Sequence, residues 1–137
     1  KTKEGICVID LDTIMPGLSL YDFGDAIRSG ATFAREDEED LSKVFVDLGL
    51  FEAFTKGFIE GVDNGLTPKE IEMLPMGAKI ITLEQGMRFL TDYLDGDLYY
   101  KTSYDDHNLV RTRTQLKLVK DLEDKWEEVN NIVKKYS

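Results

Sequence analysis

The chain has 137 residues, and its 17 lysines and arginines are outnumbered by 27 aspartates and glutamates, giving a formal net charge of −10. That balance excludes the basic face by which a nucleic acid or an anionic membrane is held, and no apolar run is long enough to span a bilayer. The length suits one domain or part of one, able to bury roughly two thirds of its unfolded surface, and the single cysteine, Cys7, excludes a disulfide framework and fits a reducing, cytoplasmic location.

The first residues, Lys1-Thr2-Lys3-Glu4-Gly5, read as the tip of a turn leading into Ile6-Cys7-Val8-Ile9-Asp10-Leu11-Asp12-Thr13. This apolar, strand-forming run ends in two carboxylates and a Pro16-Gly17 turn. A strand this apolar needs a partner, expected before Lys1, so the chain reads as a piece of a longer protein that begins inside a β-hairpin. Alternation along the strand puts Val8, Asp10 and Asp12 on one face. Two like charges there are costly unless neutralised, and magnesium, which prefers hard carboxylate oxygens, would neutralise them. The plainer alternative is that both acids sit where the strand emerges into solvent.

Helical periodicity takes over beyond the turn. Ser19 or Asp22 is placed to cap a short helix carrying Leu20, Phe23, Ile27 and Ala31. The charged run Arg35 to Asp40 has no periodicity and reads as a solvated loop. A second helix is expected over roughly Val44 to Val62, with Phe51, Phe54, Phe58 and Val62 as a core stripe. Asp63-Asn64-Gly65 closes it, with Asn64 or Gly65 left-handed. Thr67-Pro68-Lys69-Glu70 is a capping box with proline at the first helical position. Behind it Met76, Ile80, Leu83, Met87, Leu90 and Leu94 recur at alternating intervals of four and three, which predicts a buried face. Pro75 is expected to break this stretch in two, and Asp95-Gly96-Asp97 to end it. From about Asp105 or Asn108 one last helix is expected to reach the C-terminus, burying Val119, Leu122, Trp126, Val129, Val133 and Tyr136. The fold class read from these patterns is mainly α, with a short β-hairpin piece at the N-terminus.

Neither a G-x-G-x-x-G nor a G-x-x-x-x-G-K-[ST] loop is present, and no Cys-His or Ser-His-Asp set is evident around His107, the single histidine. His107 therefore reads as a helix-start or packing residue.

The stretch Val8-Ile9-Asp10-Leu11-Asp12-Thr13, then Gly17 and Tyr21-Asp22-Phe23-Gly24-Asp25-Ala26-Ile27-Arg28, resembles the metal-binding segment of the aminoglycoside phosphotransferase-like kinases. Downstream, Arg88-Phe89-Leu90-Thr91-Asp92-Tyr93-Leu94, Gly96-Asp97, Tyr99 and His107-Asn108-Leu109-Val110-Arg111-Thr112-Arg113-Thr114-Gln115 is similar to the N-acetylhexosamine 1-kinases of that superfamily. The resemblance implies that residues 1–137 are the C-terminal part of the helical C-lobe of a protein-kinase-like fold, without the N-lobe or the catalytic loop. It implies an ATP-dependent enzyme that uses magnesium to phosphorylate the anomeric hydroxyl of N-acetylglucosamine or N-acetylgalactosamine. Asp10 then matches the magnesium ligand, Asp12 supports the ion or a bound water, and Arg88 and Tyr99 line the sugar pocket. The literal Asp22-Phe23-Gly24 follows the loop and opens a helix, so its aspartate is implied to be structural, bonded to the catalytic-loop region. On its own helix, Arg88 also has Glu84 and Asp92 four residues away, an ordinary surface ion-pair arrangement.

Two other readings compete. Asp10-Leu11-Asp12-Thr13 after an apolar strand also resembles the D-x-D motif of haloacid dehalogenase-like phosphatases, which need a parallel sheet. A non-catalytic helical module would assemble through the last amphipathic helix.

Overall fold

The computed structural model describes residue 7, residues 11–12 and residues 14–137, and these are helical with no strand among them. Five helices follow in order: α1 Ser19–Gly30, α2 Leu48–Gly61, α3 Pro68–Asp95, α4 His107–Asp124 and α5 Trp126–Tyr136, with a 3-10 turn at Leu41–Lys43. The mainly α expectation holds. The expected hairpin strand falls largely on residues 1–6, 8–10 and 13, which lie outside the described residues; Cys7 and Leu11, on either side of Asp10, are exposed.

In α1 the predicted face is buried, with Phe23, Ile27 and Ala31 in the core. The cap differs: Leu18 holds the N-cap position in extended conformation, no side chain bonds there, and Asp22 contributes only its charge to the first turn. Phe23 anchors an aromatic cluster, with its ring centroid 5.9 Å from Phe51 at right angles and 5.3 Å from Phe58. Helix α2 begins at Leu48, four residues later than its periodicity suggests, because Asp47 caps it by accepting the Leu50 N–H at 2.8 Å. Residues 44–46 stay extended and are pinned to α4: Asp121 Oδ2 accepts the Val46 N–H at 2.7 Å, and Lys125 Nζ donates to the Val46 carbonyl at 2.7 Å. Beyond α2 the left-handed residues are Asp63 (φ 43°) and Asn64 (φ 63°).

Helix α3 organises the molecule, packing against α1, α4 and α5. Its start is the expected capping box: Thr67 Oγ1 accepts the Glu70 N–H, and Glu70 Oε2 accepts the Thr67 N–H. The expected break at Pro75 does not occur, and the helix runs through it. Leu74 and Ala78 on either side are fully buried and Pro75 itself is buried, so packing from neighbouring helices outweighs the lost bond to the Ile71 carbonyl.

The larger correction concerns which face of α3 is buried. Ile80, Met87 and Leu94 are 48%, 59% and 73% exposed, and Leu83 and Leu90 are exposed as well. The buried face instead carries Leu74, Gly77, Ala78, Thr82, Gly86, Phe89 and Asp92. Its small residues let neighbouring helices come close: a Cβ on Gly77 would stand 2.5 Å from the Leu20 carbonyl oxygen, and one on Gly86 3.1 Å from Gln115 Cβ. Periodicity marks a helix as two-sided, but close approach chose the small side.

The expected last helix is two. Lys125 (φ −101°, ψ 21°) separates α4 from α5, and its side chain is drawn back onto Asp121 Oδ2 at 2.7 Å. Val119, Leu122, Val129 and Val133 are nonetheless buried as the spacing predicts.

Candidate functional site

The end of α3 and the loop after it build the most developed polar site among the described residues. Gly96 (φ 94°) and Asp97 (φ 58°) turn the chain so that residues 98–100 run back beside the helix. Asp92, only 6% exposed, holds that segment. Its Oδ1 accepts the Tyr99 N–H at 2.7 Å, and its Oδ2 accepts the Tyr100 N–H at 2.9 Å and Asn108 Nδ2 at 2.8 Å. Asn108, fully buried, gives its second Nδ2 proton to Asp97 Oδ1 at 2.8 Å, and its Oδ1 accepts from Arg111 Nη1 at 3.1 Å. Burial pushes the Asp92 carboxyl up, but the N–H groups of Tyr100, Tyr99 and Leu98 and the Asn108 amide together outweigh it and hold the group below the usual carboxylate range.

This anchoring fixes two aromatic rings. Tyr99 and Tyr100 lie 4.8 Å apart at 83°, and Phe89 backs Tyr100 at 4.7 Å. The Arg88 guanidinium carbon lies 5.9 Å from the Tyr99 ring centroid and 5.6 Å from that of Tyr100. Gln85 Nε2 donates to the Tyr100 hydroxyl at 3.1 Å. Together they border an open cleft of about 310 Å³ lined by Arg88, Thr91, Asp92, Asp95, Tyr99 and Tyr100. The two residues expected at a sugar pocket, eleven apart in sequence, therefore share one cleft. The surface ion-pair expectation is half met: Glu84 lies 3.8 Å from Arg88 Nε, whereas Asp92 turns to the loop amides.

Chemically the cleft offers guanidinium donors, a phenol that donates and accepts, the Thr91 hydroxyl, the Asp95 carboxylate, and the 75%-exposed Tyr99 ring. Convergent donors and acceptors beside an apolar ring face suit a neutral polyhydroxylated ring. Nothing in the sequence alone assigns Asp92, Asn108, Tyr100 or Asp95 to this site. The available signal was a carboxylate one turn before a Gly-Asp helix stop, which can catch the amides of a returning loop.

The proposed metal ligands fare differently. Asp10 lies outside the described residues, and Asp12 is exposed in a turn. Among the described residues no group of three or more His, Cys, Asp or Glu side chains converges as a metal site. The Asp12 carboxylate is a hard oxygen donor of the kind magnesium accepts.

In the literal Asp22-Phe23-Gly24, Phe23 and Gly24 are buried, and Asp22 is exposed with no side-chain hydrogen bond among the described residues. The bond that the resemblance implies for Asp22 is to the catalytic-loop region, which the same resemblance places outside residues 1–137. His107 is the packing residue expected at a helix start: it opens α4, stacks on Tyr104 at 4.3 Å, accepts the Ser103 N–H on Nδ1 at 3.1 Å, and has Nε2 3.5 Å from Asp37 Oδ2. The acidic run is less solvated than expected, because Glu36 bridges Arg28 at 3.0 Å and Arg111 at 3.5 Å, tying the loop to α1 and α4. No family model matches the chain.

Proposed function

We propose that residues 1–137 are the C-terminal part of the helical lobe of an ATP-dependent sugar 1-kinase acting on the anomeric hydroxyl of N-acetylhexosamines. The observation that carries this reading is the convergence of Arg88 and Tyr99 on one cleft, with the guanidinium carbon 5.9 Å from the ring centroid. In this mechanism Arg88 donates to a hydroxyl or the acetamido oxygen of the sugar, and the Tyr99 phenol fixes a second polar group. Asp95 accepts from the remaining hydroxyls. These contacts orient the acceptor, which is most of what a protein contributes to phosphoryl transfer. Asp10 and Asp12 would hold magnesium, which when bound with ATP neutralises charge on the phosphates. The catalytic base and the nucleotide-binding elements are assigned to sequence preceding Lys1, so residues 1–137 alone should not release ADP.

The competing readings draw less support. A D-x-D phosphatase needs a parallel sheet, and the described residues are helical. An assembly module working through the last helix would need its apolar stripe free, but Val129 and Val133 are buried, and α5 packs on α2 and α3.

The test is kinetic, in the full-length enzyme. Arg88→Ala and Tyr99→Phe should each lower kcat/KM for N-acetylglucosamine roughly tenfold or more, as expected when a buried hydrogen bond to substrate is lost. The KM for ATP should stay near that of the wild type. Unchanged sugar kinetics in both variants would return Arg88 to the helix surface.

A further inference from the structure

We infer that Asp92 and Asn108 are positioning residues, a buried clamp that presets Tyr99 against Arg88 before the ligand arrives; this rests on the sugar-site reading above. Residues 98–103 belong to no helix or strand, so their backbone groups must find partners outside a regular ladder. The amides of Tyr99 and Tyr100 find theirs on one carboxylate, through separate oxygens at 2.7 and 2.9 Å. That two-point attachment fixes the direction of the backbone at Tyr99, and with it the ring that meets Arg88.

Asn108 makes the attachment rigid. Two carboxylates, Asp92 and Asp97, converge on its Nδ2, each at 2.8 Å, so one carboxamide spends both protons holding two anions at a fixed separation. Arg111 Nη1 in turn holds the Asn108 oxygen at 3.1 Å and reaches the Lys101 carbonyl at 3.3 Å. None of these groups stands on the exposed rim as Tyr99 does, since Asn108 is fully buried and Asp92 nearly so. A preorganised site spends less of its binding energy on ordering, so loosening the clamp should appear in sugar affinity ahead of turnover.

The experiment compares wild type, Asn108→Ala and Asp92→Asn in the full-length enzyme, with Arg88→Ala alongside. Amide hydrogen exchange over residues 97–103, kcat and KM for N-acetylglucosamine, KM for ATP and the melting temperature are measured on each. Asn108→Ala should speed exchange across residues 97–103 roughly tenfold while other segments keep their protection. It should raise the sugar KM about fivefold or more, with kcat and the ATP KM near wild type. Should Asn108→Ala not fold, Asp92→Asn is the milder variant: it keeps the shape, replaces one acceptor oxygen and should free one loop amide with the same KM-selective defect. Faster loop exchange with an unchanged sugar KM overturns the inference, as does exchange that rises uniformly with a fallen melting temperature. If Arg88→Ala leaves sugar kinetics untouched, the sugar-site reading fails by itself. The clamp is then judged on exchange alone, supported by a rise confined to residues 97–103 and overturned by none.

Discussion

Gly24 of α1 and Gly77 of α3 meet backbone to backbone: a Cβ on Gly24 would stand 2.5 Å from the Gly77 carbonyl oxygen. No flexible side chain stands between them to give way, so the helices must part to admit a methyl group. Gly24→Ala and Gly77→Ala should therefore each cost about 2–3 kcal/mol, the upper part of the range for overpacking a tight core. Thermal or denaturant unfolding followed by circular dichroism checks this; variants as stable as wild type would mean the crossing opens freely. The relationship also explains the literal Asp-Phe-Gly at 22–24, in which Phe23 fills the core and Gly24 makes the crossing.

The two faces of α3 give a second test. Met87 and Phe89 are two residues apart, yet Met87 is exposed and Phe89 is buried. Met87→Glu should change stability by no more than about 0.5 kcal/mol, and Phe89→Ala should cost about 3–5 kcal/mol. Chemical denaturation of both variants decides it. If Met87→Glu were the damaging change, the four-and-three spacing would have marked the buried side after all.

How much of this could be read in advance depended on whether the cause was local. The Thr67-Pro68-Glu70 start and the Gly96 stop of α3 are set by neighbours in sequence, and both were legible. The split at Lys125 was not, because no glycine or proline marks it and its side chain, besides bonding Asp121, reaches the Val46 carbonyl far away in sequence. The buried face of α3 was misread because its long apolar side chains outweigh Gly77, Ala78 and Gly86 in any hydrophobic pattern, although the small residues decide how closely helices approach. At the site, Arg88 and Tyr99 were reached only through a family resemblance. Asp92 was noticed merely as an ion-pair neighbour, since its role depends on a loop folding back upon it.

The pH dependence of the clamp follows from the Asp92 carboxyl. Its folded value is held below the ordinary one, near 3.8, so its bonds are fully present above that value and are lost as pH falls through the depressed folded value. Neutral and mildly acidic solutions should leave the Tyr99 and Tyr100 amides protected, and acid below the ordinary carboxylate range should free at least one of them, since a protonated carboxyl keeps one good acceptor oxygen. Amide resonances of the two tyrosines, followed from neutral pH downward, report this directly. In Asp92→Asn the step should vanish; a step that persisted there would belong to another carboxyl.

Asp10 and Asp22 offer rival aspartates for one proposed metal role, and of the two only Asp22 lies among the described residues. Asp22 is exposed and precedes two buried packing residues, so its carboxylate contributes little beyond a favourable charge in the first turn of α1. Asp22→Asn should lower stability by about 0.5 kcal/mol, the usual worth of such a charge, and leave magnesium dependence intact. If Asp10 is the magnesium ligand proposed above, Asp10→Asn in the full-length protein keeps the side chain's shape and removes a charge needed while the phosphoryl group is in transfer. It should cost about a hundredfold or more in kcat with the fold preserved. Turnover across a magnesium titration, together with the melting temperature of each variant, separates the two. A magnesium-dependent rate defect in Asp22→Asn, with Asp10→Asn merely melting earlier, would transfer the metal to the literal Asp-Phe-Gly and remove Asp10 from the mechanism.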